Sequence, residues 1–379
     1  MHPFGKSKTP CGCIAVLLLA FLFVVAGGCA GMPPKGALQF DPVLVQPIQT
    51  VLDAALIRYR LPGAVLGIRD PKGATHFWTS GLADLEMGKA MDRDLYFRIG
   101  SVTKSYTATI ILQLADEGLV ALDTPIDHYL PGKVAQGENI TVRDLLEMRS
   151  GLGNYSKNPA FFNSLEHNPG RVWSPDELLN FSNTNKGKPG GSFEYNNANY
   201  IILGMLIETV TQSSYREQVK KKILKPLAMT KTFVPISNDM PTPFARGYLY
   251  EEGAVIDGTF SLDPSVAWSS GNIISTASDQ LVWIKALEEG RLLSKETHKE
   301  QFAVKGIKST PGRAYGLGVG RDKGATGHGG NYNNAYTSCI YRYHGYDFVV
   351  LVNGQGKEAI SKEAKASNVF WRVIEDMGF

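Results

Sequence analysis

Cysteine is scarce in this chain, and its placement excludes more than its number. Of four cysteines in 379 residues, Cys11, Cys13 and Cys29 fall within the first 29 positions. Only Cys339 is left in the body, inside an apolar strand-like run where burial is expected. No disulfide framework and no cysteine zinc site can be built from that distribution. None of the seven histidines forms a His-Glu-x-x-His pair, which argues against a zinc protease, and no metal or other cofactor is expected. Gly-x-Ser-x-Gly is missing too, so the nucleophile elbow of the α/β-hydrolases has no counterpart. Charge of one sign never accumulates. The net charge is +3, and Lys220-Lys221-Lys222 reads as a solvated helix face rather than a nucleic-acid footprint. There is no internal repeat and no low-complexity tract. The chain is 43% hydrophobic and 20% charged, a globular balance with length enough for one large domain or two.

The one long apolar stretch stands at the N-terminus. Lys6 and Lys8 precede the apolar run Ile14–Val25, the pattern of an export signal over residues 1–28. Val25-Ala26-Gly27-Gly28-Cys29 resembles a bacterial lipobox, with Ala26 where Leu is usual, so Cys29 is the expected lipidation site. A plain signal peptide or an uncleaved membrane anchor are the alternatives, since Cys11 to Gly31 is just long enough to span. All three readings put the body outside the cytoplasm, and the first attaches it to a membrane by a lipid. Residues 29–40, with Pro33-Pro34, read as a tether.

From Asp41 onward the pattern is mixed α and β. Asp41-Pro42 is a capped start for a helix to Tyr59, and Leu61-Pro62-Gly63 ends it. Ala64–Arg69, the turn Asp70-Pro71-Lys72-Gly73 and Thr75–Trp78 predict a β-hairpin. Residues 113–263 read as mostly helices and loops. A capping threonine at Thr141 starts one short helix, and helices follow at Asn197–Thr211, Tyr215–Leu224 and Ala277–Glu289. Strands are expected at Tyr315–Val319, Ala335–Tyr343 and Phe348–Asn353, and a last helix at about Ala359–Met377. Strands at both ends and helices between them imply one antiparallel sheet built from the two ends. The terminal helices then cover one face and a helical lobe the other. This is an α/β (α+β) architecture for residues 41–379.

The chemistry concentrates at three places. Arg98-Ile99-Gly100-Ser101-Val102-Thr103-Lys104 opens a helix predicted to run to about Glu117, with Ser101 at or near its N-cap or first turn and Gly118 closing it. Free N–H groups at that start favour negative charge. Lys104 shares its helix face. A serine hydroxyl needs a base to become a nucleophile, and a desolvated lysine one turn away can be one. Tyr195-x-Asn197 pairs a phenol able to carry a proton with an amide able to bind one. A second Tyr-x-Asn, Tyr332-Asn333-Asn334, competes for that role. Gly327-His328-Gly329-Gly330-Asn331 offers a strand backbone that a ligand can approach closely, with N–H groups for an oxyanion. Taken singly, each has a bland reading: an N-cap serine, a helix-capping asparagine, a structural histidine.

Ser101-x-x-Lys104, Tyr195-x-Asn197 and His328-x-Gly330, in this order and at wide spacing, together resemble the serine β-lactamase and penicillin-binding protein family. The nearest branch holds class C β-lactamases, D-Ala-D-Ala carboxypeptidases and related esterases, and the likeness runs from about Asp41 to the C-terminus. Ile140–Leu146 with Ser150-Gly151-Leu152, and Ser270–Thr276, support it. The resemblance implies a β-lactamase/transpeptidase-like fold and an acyl-enzyme at Ser101. Lys104 and Tyr195 would share the serine proton, and Asn197 would bind the substrate's acyl-side amide. His328 would act electrostatically on the Lys104–Tyr195 pair, and the N–H groups of Ser101 and Asn331, beside Gly330, would form the oxyanion hole.

Three departures bear on substrate. Glu147-Met148-Arg149 stands where Thr-His-Thr is usual, Gly329 where Thr is common, and Asn333-Asn334 where Pro-Gly is frequent. The expected substrate is a small molecule or peptide, peptidoglycan included, and the expected activity an exported serine hydrolase cutting amide, β-lactam or ester bonds. Gly329 offers no hydroxyl to a substrate carboxylate, so short esters are expected to be cut more readily than β-lactams, unless an arginine folds into the cleft. The other readings are a short-chain carboxylesterase of the same fold and a non-turnover binder of cell-wall peptides or β-lactams.

Overall fold

The computed structural model describes residues 39–379 except 185, 252–253, 308–309 and 357–364. The expected signal, Cys29 and most of the tether lie outside these residues. Among the described residues nine strands form the main sheet, numbered here in chain order. They are β1 (Gly63–Arg69), β2 (Thr75–Asp84), β3 (Lys89–Ala90), β4 (Lys305–Gly306), β5 (Arg313–Tyr315), β6 (Gly320–Asp322), β7 (Ala325–Tyr332), β8 (Tyr336–Tyr343) and β9 (Tyr346–Val352). Their spatial order is β3-β2-β1-β9-β8-β7-β6-β5-β4, with every pairing antiparallel. The two ends of the chain meet where β1 pairs with β9, Ala64 opposite Val352 and Arg69 opposite Asp347.

The period-2 alternation of the strands sorts side chains between two cores. Ala64, Leu66, Ile68, Cys339, Phe348 and Val350 face helices α1 (Pro42–Tyr59) and α5 (Ala366–Met377). Val65, Ile340, Val349 and Leu351 face the larger core with α2 (Thr103–Asp116), α3 (Asn197–Thr211) and α4 (Ala277–Glu288). Cys339 is buried as expected. Asp41 caps α1, its carboxylate accepting the Val43 N–H at 2.9 Å. Thr141 and Asp144 form a reciprocal capping box on Val142–Leu146.

Several local expectations are corrected. Ser101 stands at the helix start as expected, though in a tighter turn, Gly100–Val102, that leads directly into α2. The middle segment also holds a two-stranded hairpin, Tyr248–Glu251 with Ala254–Asp257. Tyr315–Val319 is no continuous strand, because Gly316 donates back to the Val319 carbonyl and Gly318 takes φ +76°. Ala325–Tyr332, absent from the expected strands, is a full strand, β7, so the extended backbone expected at Gly327–Asn331 is an inner strand of the sheet, directly before β8. The last helix is described over Ala366–Met377, and its expected start at about Ala359 lies outside the described residues.

Candidate active site

The turn carrying Ser101 is fixed from both sides. The Ile99 N–H donates to the Ile273 carbonyl at 3.0 Å, and Thr103 Oγ1 accepts the Ile273 N–H at 3.2 Å. On the opposite flank Ser338 Oγ donates to the Ile99 carbonyl at 2.7 Å. Two glycines let β7 approach this turn. A Cβ on Gly330 would stand 2.0 Å from the Ile99 oxygen, and one on Gly100 (φ +54°) would stand 2.6 Å from the Asn331 main chain. Side chains at either position would push the strand away. The Asn331 main chain is thereby held beside Ser101. The Asn331 side chain turns aside to Asn334 and Gln355.

Lys104 is wholly buried on the first turn of α2. Its Nζ is hydrogen-bonded to Ser101 Oγ at 3.0 Å, Asn197 Oδ1 at 2.8 Å and the Ser270 carbonyl at 2.8 Å. Burial pushes its pKa well below the ordinary lysine value. A neutral amine has two N–H donors and one lone pair. Asn197 and Ser270 are acceptors that take the donors, so the lone pair is left for the Ser101 proton.

The Tyr195 phenol faces the Ser101 hydroxyl, and burial raises its pKa, keeping it protonated at neutral pH. Its ring centroid lies 4.9 Å from Lys104 Nζ. Tyr332, the competing tyrosine, is turned elsewhere: its hydroxyl donates to the Leu262 carbonyl at 3.1 Å and Arg98 lies 4.9 Å over its ring. Asn196, not Asn197, caps α3. Asn197 is free to accept from Lys104 and to donate to Ser156 Oγ at 3.0 Å. Both ends of its amide are therefore engaged inside the protein, and it positions Lys104 before it meets any substrate.

His328 departs from the expected electrostatic role. Burial first, then the neighbouring Lys104, push its pKa down to about 4, partly offset by its bond to the Gly329 carbonyl. It is neutral at pH 7. Nδ1–H donates to the Gly329 carbonyl at 2.6 Å, which leaves Nε2 to accept from the Tyr315 hydroxyl at 3.0 Å. Tyr315 also meets Tyr200. His328 thus holds the Tyr315 hydroxyl beside Tyr195 and adds no charge there.

The sequence reading brought Ser101, Lys104, Tyr195, Asn197, His328, Gly330 and Asn331 forward, and the fold gathers all seven. It missed Ser156, the Ser270 carbonyl, Tyr200 and Tyr315. Ser156 follows the noted Ser150-Gly151-Leu152, and Ser270 begins another noted stretch. Nothing local marks Tyr315. The cleft at Ser101 has a volume of about 710 Å³, and Arg313, Arg321 and Lys365 stand on its wall. Arginines do fold in, but Arg313 and Arg321 are exposed, and Arg313 pairs with Asp322 at 3.2 Å. Solvent screens the charges of both exposed arginines and Arg313 is already paired, so the two supply little binding energy; Lys365 is half-buried.

Comparison with known proteins agrees with this geometry. Protein flp of Staphylococcus aureus is 27% identical over 335 residues, 81% of this chain and 62% of that protein. The chain thus spans less than two thirds of that relative's length. The structure of a D-stereospecific amidohydrolase from Streptomyces sp. superposes with a TM-score of 0.77 at 31% identity, over 87% of this chain and 97% of that one. D-amino acid amidase from Ochrobactrum anthropi, complexed with L-phenylalanine amide, gives a TM-score of 0.79 at 28% identity, over 89% and 99%. The model of the Beta-lactamase family matches residues 48–368, a span that takes in all three motifs. A serine in the turn before a helix, a buried lysine on that helix's first turn, a tyrosine facing them and a glycine-bearing strand alongside are thus set in a fold shared over most of the chain, and the chain belongs to the Beta-lactamase family of serine hydrolases.

Proposed function

We propose that this chain hydrolyses small amide and ester substrates through an acyl-enzyme at Ser101. The observation that carries the reading is Lys104, buried, depressed in pKa and bonded to Ser101 Oγ with its other partners occupied by acceptors. Ser101 Oγ attacks the carbonyl carbon while its proton passes to Lys104. The N–H groups of Ser101 and Asn331 hold the oxyanion, a contribution of about 3–4 kcal/mol for one such donor. The carbon–nitrogen or carbon–oxygen bond then breaks, and Tyr195 gives its proton to the leaving group and is reprotonated through Lys104. Water attacks the acyl-serine, releases the acid and restores the Ser101 hydroxyl.

The amide side of the reading draws on the two amidohydrolase structures, and the ester side on Gly329. The position facing a substrate carboxylate has no side chain, and the rim arginines are screened. Second-order rate constants for p-nitrophenyl butyrate, D-phenylalanine amide, a D-Ala-D-Ala peptide and nitrocefin test the preference. The ester or the amide is expected to exceed nitrocefin by at least about tenfold. Nitrocefin or the peptide exceeding both by that factor overturns it. Acylation without turnover of any of them would make the chain a binder.

The N-terminal reading is also a proposal, supported by the small residues before Cys29 and the apolar run ahead of them. In a bacterial host the wild type is expected to incorporate radiolabelled lipid and Cys29→Ala to incorporate none. Incorporation by the variant, or none by the wild type, rules out a lipid anchor at Cys29.

A further inference from the structure

Glu147-Met148-Arg149, the tripeptide that departs from the family's habit, opens onto a second cavity. Met148 turns inward, its Sδ accepting the Asn196 N–H at 3.3 Å. Glu147 and Arg149 on either side line a space of about 480 Å³ together with Lys305, Phe193, Ile307 and Tyr315. The last three also line the Ser101 cleft, so the two spaces share a wall of apolar and aromatic side chains.

The charges in this annex are unequal. Lys305 Nζ donates to both Glu147 oxygens at 2.8 Å, and Arg149 Nη1 reaches Glu147 at 3.4 Å. The Glu147 side chain is only 8% exposed. Two cations against one carboxylate leave one positive charge in excess, and both carboxylate oxygens are already taken. Arg149 Nη2 donates to the Gly190 carbonyl, while its Nε is buried with no partner. A buried donor left unpaired is costly, so the fold satisfies two of the three guanidinium nitrogens and leaves the third without a structural partner. Lys305 is an exposed side chain, but where Arg313 has the Asp322 carboxylate as its partner, Lys305 shares the single Glu147 carboxylate with Arg149 and retains one N–H beyond the two given to it.

We propose that the annex is a second substrate subsite, holding the carboxylate at the far end of an elongated substrate whose scissile bond lies at Ser101. The apolar wall of Phe193, Ile307 and Tyr315 carries the body of such a molecule, and Lys305 and Arg149 meet its charged tip. A cationic tip would find Glu147 already paired and the excess charge repulsive. The inference rests on the Ser101 reading.

The test uses mono-p-nitrophenyl esters of straight-chain diacids from four to twelve carbons, each set against the neutral alkanoate ester of equal length. A second series carries the carboxyl on the phenol instead. In one series the ratio of kcat/KM, acid over neutral, is expected to peak at one chain length. Lys305→Gln and Arg149→Gln should each lower that peak ratio about tenfold, the size of one charge-assisted hydrogen bond. Lys305→Glu should lower it further. A ratio flat with length in both series, or a peak unchanged in Lys305→Gln, overturns the subsite. Fluorophosphonate labelling reports whether each variant keeps a folded site, and if Arg149→Gln loses it, Lys305→Gln decides. Failure of the unaltered protein to label at Ser101 would instead sink the reading of the reaction, so the two failures are distinguishable.

Discussion

Ser101→Ala is expected to lose all labelling by a fluorophosphonate probe and to reduce turnover of p-nitrophenyl butyrate by about 10⁴-fold or more, the scale on which removal of a serine nucleophile acts. Ser101 Oγ is the hydroxyl hydrogen-bonded to the buried Lys104 and faced by the Tyr195 phenol. Its turn is pinned by Ile273 and Ser338, which leaves Oγ little freedom to be anywhere else. Other hydroxyls nearby are spoken for: Ser156 accepts from Asn197, and Ser270 Oγ donates to the Ala267 carbonyl at 2.6 Å. Mass mapping of the labelled peptide checks the site. Undiminished labelling of the variant would move the nucleophile elsewhere.

Removing the proton carriers should cost nearly as much. Lys104→Ala and Tyr195→Phe are each expected to slow acylation by at least about a hundredfold, the usual size of a general acid–base effect. Tyr332→Phe should change little, since its hydroxyl serves only the Leu262 carbonyl. The pH dependence follows from the signs. Lys104 acts when neutral, and burial lowers its pKa, so activity extends further toward acid than an ordinary lysine would allow and is lost as pH falls through that lowered value. Tyr195 acts when protonated, and burial raises its pKa, so its loss lies on the far alkaline side. His328, at about 4, is neutral across the whole working range. Lys104→Arg keeps a positive charge that cannot take the serine proton at any accessible pH. It should therefore be inactive throughout, where an electrostatic role alone would let arginine substitute. Stopped-flow acylation by the same ester measures all four variants. A Tyr332→Phe defect larger than that of Tyr195→Phe would reverse the choice between the two tyrosines.

What was legible in the sequence was what neighbouring residues decide. Asp41 caps α1 and Thr141 boxes its helix because the partners lie two or three positions away. Ser101 and Lys104 meet because helical geometry puts i and i+3 on one face. The misreadings follow the same line. Ala325–Tyr332 has glycines where apolar alternation should be, and it is a strand because β8 on one side and the Ser101 turn on the other hold it there. Tyr315–Val319 has the apolar residues of a strand, but two glycines fold it into a turn. The charge of His328 was unreadable because burial decides it, and burial is a property of the assembled fold. The contacts of Asn197 with Lys104 and of Tyr315 with His328 depend on which elements pack together, which no local pattern encodes. The resemblance to a known family named most of the site, but not the partners that hold it.

The bond from Ser338 to the Ile99 carbonyl joins residues 239 positions apart, and β1 closes on the last strand of the sheet. Such pairings are formed late, since a long loop must be closed before they return any energy. A ribosome that has made only the first three hundred residues has made the serine and its lysine but not the strand that shapes the oxyanion pocket. The serine and its lysine are set locally, but the strand beside them is written more than two hundred residues later, so a chain clipped before Ala325 carries the reactive pair without the backbone that would hold the oxyanion.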